Sequence, residues 1–154
     1  MAQFVYTPAM NAIAAGTLPM NVATYKVMLV NASQALNKAN QFVSTALTAA
    51  EIGSGGAVPG YVRGFGNSGR QAVSLSLTTA SNTVECIISA NITWNTIGGT
   101  VNDTIVGAAL IKEIAPTDTT SLAIAYWDFS SPVTTNGSNV TITVNPAGNI
   151  TFTT

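Results

Sequence analysis

The apolar positions of this chain recur mostly at a spacing of two. Gln71–Thr78 is the clearest case: Val73, Leu75 and Leu77 alternate with Ala72, Ser74 and Ser76, the pattern of a strand with one buried face. Val140, Ile142 and Val144 alternate with Thr141 and Thr143 in the same way. Elsewhere apolar residues run together over strand length. Thr24–Val30 carries Lys26 as its only charge, Thr104–Ile114 is mostly apolar before Lys112-Glu113, and Ser121–Phe129 is a further apolar run. Such runs predict strands buried over most of their length. Thr83–Ser89, Ile92–Ile97 and Ile150–Thr154 complete a set of eight strands. Turn signals separate them: Ala80-Ser81-Asn82, Gly98-Gly99, Pro116-Thr117-Asp118, Asn136-Gly137 and Asn145–Gly148.

The first seventy residues read differently. Residues 1–7 form an extended arm carrying Phe4 and Tyr6. Thr7 stands as N-cap with Pro8 at the first helical position, and Ala9–Ala15 with Gly16 as C-cap gives a helix of about two turns. Asn31 to Asn40 is polar loop. Gln41–Ile52 fits neither period well, and a short helix there is one of two readings. Gly53 to Gly69 holds seven glycines and Pro59 around Tyr61, Arg63 and Phe65. A glycine-rich loop of this length (residues 53–70) inside a compact domain is usually functional or partly mobile.

Short strands with turn signals and no long helix between them predict an all-β, mainly antiparallel fold. The expected form is a β-sandwich or jelly-roll-like barrel of about eight strands, with a short N-terminal helix and an extended arm. No internal repeat or linker interrupts residues 1–154, so a single domain is expected.

Composition changes the picture in one respect. The hydrophobic fraction, 47%, is ordinary, but charged residues make up only 7%, against ~25% in a typical domain. Thr, Asn, Ser and Gly take their place. A soluble protein usually keeps itself apart with surface charge, so a neutral polar surface suits a chain packed in an assembly. Five basic residues and a net charge of −1 argue against a nucleic-acid binder. The longest apolar run, Ile105–Ile111, is far short of the ~20 residues of a membrane helix. The stretch Met1–Pro8 has neither a basic region nor a continuous apolar core, so no signal peptide is expected.

Candidate chemistry is thin. The chain has no histidine and one cysteine, Cys86, which removes Ser-His-Asp and Cys-His catalysis, the common zinc sites and any intrachain disulfide. Gly64-Phe65-Gly66-Asn67-Ser68-Gly69 matches G-x-G-x-x-G, but a predicted strand follows it where a dinucleotide loop needs a helix. The carboxylates Glu51, Glu85, Asp103, Glu113, Asp118 and Asp128 read as outward or strand-end charges; a glycosidase would need two of them in one cleft. They form no calcium-loop motif. Trp94, Tyr126 and Trp127 offer a possible sugar platform, with core packing the plainer reading. Matches to N-x-[ST] at Asn31, Asn91, Asn102, Asn136, Asn139 and Asn149 follow from composition. No catalytic residue, cofactor or metal ligand is assigned, and the chain is read as non-enzymatic.

Several segments together resemble a family of small tailed-bacteriophage structural proteins of the capsid decoration, or cement, type. They are Thr24–Val30, Gly55–Tyr61 before the strand Ala72–Leu77, Asn91-Ile92-Thr93-Trp94, Val106–Lys112, Leu122–Phe129, Pro132–Gly137 and Val140–Ile150. The order spans about residues 20–154, and its motifs are strand-and-turn patterns. Fewer charges near Pro116–Thr120 and Asn145–Gly148 depart from the family pattern and leave the capsid-binding surface open. The resemblance implies a β-sandwich-like protein, made in the host cytoplasm and seated on the outer capsid surface of the virion. Its implied partners are the major capsid protein and itself, as a homotrimer, with neither nucleic acid nor membrane. Large side chains on irregular backbone make Phe4, Tyr6, Tyr61, Arg63 and Phe65 the expected protein contacts. A tail or head fibre or collar subunit, or a carbohydrate-binding adhesion module, is the alternative.

Overall fold

The structure is a computed structural model that describes residues 3–20, 25–31, 37–80, 83–144 and 150–153. Among the described residues, ten strands form three antiparallel sheets that do not close on one another, so the fold is mainly β and sandwich-like rather than a closed barrel. The largest sheet has five strands: β1 (Gln3–Val5), β8 (Leu122–Thr134), β7 (Thr104–Lys112), β2 (Tyr25–Val30) and β3 (Gln71–Val73), in that spatial order. Strands β10 (Ile150–Thr153), β9 (Val140–Val144) and β6 (Ile92–Trp94) make the second sheet. Strands β4 (Leu75–Ala80) and β5 (Thr83–Ile88) pair with each other and, among the described residues, with no third strand.

The continuous apolar runs became the centre of the large sheet. β2 and β7 pair over six positions, from Tyr25 opposite Lys112 to Val30 opposite Gly107. Val27, Met28, Leu29, Val30, Ala108, Ala109 and Ile111 are fully buried. A strand covered on both faces has no polar face to alternate with, which is why these segments lack a period of two.

Three boundaries differ from the sequence reading. Gln71–Thr78 is two strands, because the chain leaves the five-stranded sheet at Ser74. There the Ser74 carbonyl accepts the Ser89 N–H at 3.0 Å and the Ser89 hydroxyl at 3.1 Å. β8 runs past Phe129 to Thr134, its pairing with β7 resuming beyond an irregularity at Ile105 opposite Val133. Among the described residues its other edge is covered by β1 only at Ala125–Trp127, so Pro132, which lacks an N–H, can sit beyond that pairing. β6 stops at Trp94, and Thr96 takes a positive φ of 55°.

Residues 3–6 are no free arm. β1 pairs with β8, Gln3 opposite Trp127 and Val5 opposite Ala125, and the Tyr6 N–H donates to the Ile124 carbonyl at 2.9 Å. The chain is therefore extended up to Tyr6, and the helix α1 starts at Thr7 and ends at Ala14. Tyr6, not Thr7, is the N-cap residue, with no side-chain cap. The C-terminal end falls one residue earlier than read: Ala15, not Gly16, is the C-cap, and Gly16, at φ 69°, follows it and closes the helix, its N–H donating to the Ile13 carbonyl and that of Thr17 to the Ala12 carbonyl. The ambiguous Gln41–Ile52 holds a short helix, α2 (Val43–Ala46), and a 3₁₀ turn at Thr48–Ala50.

The segments β3–β4 and β5–β6 are the two arms of one long hairpin that forks. Its outer part is the β4–β5 ribbon, in register from Leu75 opposite Ile88 to Ala80 opposite Thr83. Below Ser74 and Ser89 the arms part, β3 joining the five-stranded sheet and β6 the three-stranded one. A shallow groove of about 230 Å³ lies in the fork. The turns at Ser81-Asn82 and Asn145–Gly148 and residues 32–36 of the loop from Asn31 to Asn40 lie outside the described residues. So do the side chains of Glu85, Cys86 and Phe152.

Candidate functional site

The glycine-rich loop is held by a buried cluster of charges. Arg70 ends the loop one residue before β3, and its side chain has no exposed surface. A guanidinium has five N–H donors, and all five are used. Nε and Nη2 donate to the two oxygens of Glu51 at 3.0 and 2.8 Å. Nη1 and Nη2 donate to the two oxygens of Asp118 at 2.6 and 2.8 Å. Nη1 also donates to Glu113 Oε1 at 3.2 Å. Two of the three carboxylates are bound two-pronged, the geometry that suits Arg and that Lys cannot reproduce.

Separate parts of the chain supply these groups. Glu51 follows the 3₁₀ turn and bridges to Val30 of β2. Glu113 follows β7, and Asp118 sits in the turn before β8. Two more cations complete the set. Lys26 Nζ lies 2.7 Å from Glu113 Oε2. Arg63 donates to the Thr48 carbonyl at 2.6 Å, and its charge adds to the field on Asp118. Three cations thus face three carboxylates, which is six of the eleven charged residues in the protein.

Neutral donors fill the remaining lone pairs. The Tyr61 hydroxyl donates to Glu51 Oε1 at 3.1 Å and accepts from the Leu29 N–H at 3.2 Å. The Gly64 N–H lies 3.3 and 3.2 Å from the two Glu51 oxygens, and the Gly66 N–H donates to Glu113 at 3.2 Å. The G-x-G-x-x-G motif therefore has a physical role unrelated to phosphate: its first two glycine amides hold the protein's own carboxylates. The third, Gly69, allows close packing. A Cβ there would lie 2.6 Å from the Val62 carbonyl oxygen and 2.7 Å from the Tyr61 ring. The Gly69 carbonyl accepts the indole N–H of Trp94 at 2.6 Å. Gly60, at φ 77°, packs against the Thr96 backbone.

The electrostatics follow from burial and partners. Burial alone would loosen the proton on Arg70, but hydrogen bonds to Asp118 and Glu51 hold it more firmly than in a free arginine. Burial works against an ionised Asp118 as well, and the Arg70 bonds outweigh it, so the carboxyl lies below its usual range. Burial, then the nearby Glu51 charge, pushes the Tyr61 phenol well above its usual value. A glycosidase needs one carboxyl kept protonated near neutral pH; Asp118 is held the opposite way. The centre that the three carboxylates surround is filled by the guanidinium.

An open groove of about 560 Å³ lies beside the cluster, with Phe65 and Gly66 on one side, Ala72 and Val73 on the other, and the Lys26–Glu113 pair in its wall.

The five residues expected as contacts fall into two places that the fold does not bring together. Phe4 is on β1, at one edge of the five-stranded sheet, and Phe65 is by β3, at the other. The expectation for Tyr6 and Tyr61 needs correction. Tyr6 has no exposed surface and Tyr61 has 3%; both are core residues, because each ring fills space beneath a segment that the sequence reading left irregular. Phe4 is half-buried, edge-on to Tyr6 at 5.1 Å and 5.7 Å from Tyr126, with Lys38 Nζ over its ring. Arg63 is half-buried and bonded to Thr48. Phe65 is half-buried at the groove. Trp94 and Tyr126 are also buried, with Trp127 half-buried, so these three do not form a sugar platform.

Sequence reasoning missed Arg70, Glu51, Glu113 and Asp118 as a set. One signal was there. In a chain with so few charges, an isolated charge in apolar sequence, such as Glu51 between Ala50 and Ile52, calls for a buried partner of opposite sign.

No family model, curated protein or solved structure matches this chain.

Proposed function

We propose that this chain is a non-enzymatic virion structural protein, a decoration protein that binds the outside of a bacteriophage head and stabilises it by bridging capsomers. The observation that carries the reading is the placement of charge. Six of eleven charged residues are tied into one cluster around Arg70, and Asp103 is taken up by Asn31, Gly53 and Thr104 at 2.8 to 2.9 Å. What is left outside is mostly Thr, Asn, Ser and Gly. Such a surface repels a neighbour weakly and costs little to desolvate in a packed shell. The resemblance in strand-and-turn order supports the same reading.

The mechanism is mass action. A protein that binds the assembled shell and not its separated subunits stabilises the shell. Contacts to several capsomers, made by a homotrimer, multiply through effective concentration. The partners are then the major capsid protein and further copies of this chain. Of the five contacts first expected, Phe65 is the one beside an open groove, and it is the residue we assign to the capsid contact.

The test is the copy number in purified virions, measured by quantitative mass spectrometry against the major capsid protein. One copy per one or few capsid subunits is expected. A handful per particle would overturn the reading in favour of a tail, collar or fibre subunit, and absence in favour of a free module such as a carbohydrate binder.

A further inference from the structure

Residues 135–139 join β8 to β9 and carry the single Asn-Gly pair of the sequence, Asn136-Gly137. Such a pair is a chemically weak point in a polypeptide. The backbone nitrogen that follows an asparagine can attack the side-chain amide carbon, and a glycine there has no side chain to hinder the attack. Asn136 is exposed.

The turn treats the two reacting groups in opposite ways. Asn136 Oδ1 accepts the Ser138 N–H at 3.0 Å. That bond draws electron density away from the amide carbon and would steady the oxyanion formed there. The attacking nitrogen is withheld. The Gly137 N–H donates to the Ile97 carbonyl at 2.8 Å, and the Ile97 N–H donates to the Ser138 carbonyl at 3.1 Å. Ile97 has no exposed surface, so the anchor is fixed. On the flanks, the Thr96 N–H donates to Asn139 Oδ1 at 3.0 Å and the Thr135 N–H to the Asp103 carbonyl at 2.9 Å. A nitrogen whose proton is held on Ile97 cannot lose it and swing onto its own neighbour until the turn leaves Ile97.

We propose that Asn136 is a site of spontaneous deamidation, held off in the folded protein by the pairing of residues 137 and 138 with Ile97. In the opened turn, Gly137 N gives its proton to hydroxide and forms a bond to Asn136 Cγ. The Cγ–Nδ2 bond then breaks, and the nitrogen takes a proton from water and leaves as ammonia. A second water opens the five-membered succinimide at one of its two carbonyls, leaving aspartate or isoaspartate at position 136. Nothing is oxidised or reduced. Either product adds a negative charge to a chain of net charge −1. Isoaspartate also runs the main chain through Cγ and lengthens it by one atom, which shifts Gly137 and Ser138 against Ile97. The reaction is one-way, so the turn acts as a gate on an ageing reaction, whatever the chain binds.

The test incubates the full chain at mildly alkaline pH, folded and in guanidinium chloride, and follows the mass gain at Asn136 by peptide mapping. Deamidation is expected to be at least about tenfold slower in the folded protein, because opening breaks both bonds to Ile97. The slowing should match the hydrogen-exchange protection of the Gly137 amide, since both processes need the same opening. An unfolded chain that stays unmodified at Asn136 would overturn the site. Equal rates in the two states, or a slowing that does not follow Gly137 protection, would overturn the gate.

Discussion

Arg70 Nη2 lies 2.8 Å from Glu51 Oε2, and neither side chain has any exposed surface. Taking two such charges out of water costs several kcal/mol each, and their attraction offsets this only when every donor and lone pair is satisfied. Here that condition is met through Asp118, Glu113, Tyr61 and the Gly64 amide. The pair is thus poor evidence of net stability and good evidence of specificity. It gives a loop of seven glycines one position, where chain entropy would favour many.

Arg70→Met is expected to destabilise the protein by about 3–5 kcal/mol, because it leaves Glu51 buried and unpaired. Arg70→Lys should recover only part of this, since an ammonium cannot bind two carboxylates two-pronged. Urea unfolding of the three proteins measures it. A Met variant within 1 kcal/mol of wild type, taking ~1 kcal/mol as the median effect of any substitution, would mean the cluster is solvated.

Glu51→Gln and Arg70→Met combined should cost less than the sum of the single changes, with a coupling of about 0.5–3 kcal/mol. Once the cation is gone, the carboxylate is the liability, and neutralising it relieves the molecule. Additive losses in the double-mutant cycle would contradict direct coupling between the two residues.

Gly69→Ala is expected to destabilise by about 1–3 kcal/mol, as an overpacked site does. Its methyl would meet the Val62 carbonyl and the Tyr61 ring, neither free to move. Gly55→Ala is the control, for its Cβ meets nothing within 4 Å. Thermal melts should separate the two variants; equal melting temperatures would show that the loop is looser than described.

Stability should be level near neutral pH and fall at both ends. Asp118 has a lowered folded-state value, so its contribution is complete above the unfolded value of about 3.9 and is lost as pH falls through the folded one. Tyr6, Tyr61 and Tyr126 are raised, by burial above all, and Tyr126 also by Asp128. Their contribution is complete below about pH 10 and is lost as pH rises beyond it. Urea midpoints across pH check this. A midpoint that drops steadily between about pH 9 and pH 5 would contradict it.

The strands were legible because their signal is local. Val73, Leu75 and Leu77, or Val140, Ile142 and Val144, show their period within a few residues, and backbone pairing then needs only a partner. The fork at Ser74 was not legible, since a chain that changes sheets keeps its alternation. Nor was the inward turn of Tyr6 and Tyr61. An aromatic side chain in irregular sequence looks the same whether it meets solvent or, like Tyr61, hydrogen-bonds to Leu29 and Glu51.

The one-dimensional pattern by itself determined a mainly antiparallel β protein, a short helix closed by Gly16, and a surface short of charge, because each follows from composition or from neighbours a few positions apart. Tertiary structure alone decided what the charges do. Glu51, Arg70, Glu113 and Asp118 are spread over 68 positions of sequence, and nothing local ties one to another. Their pairing is worth having only in the low-dielectric interior that the finished sheets create, so it exists only once the chain has folded around it.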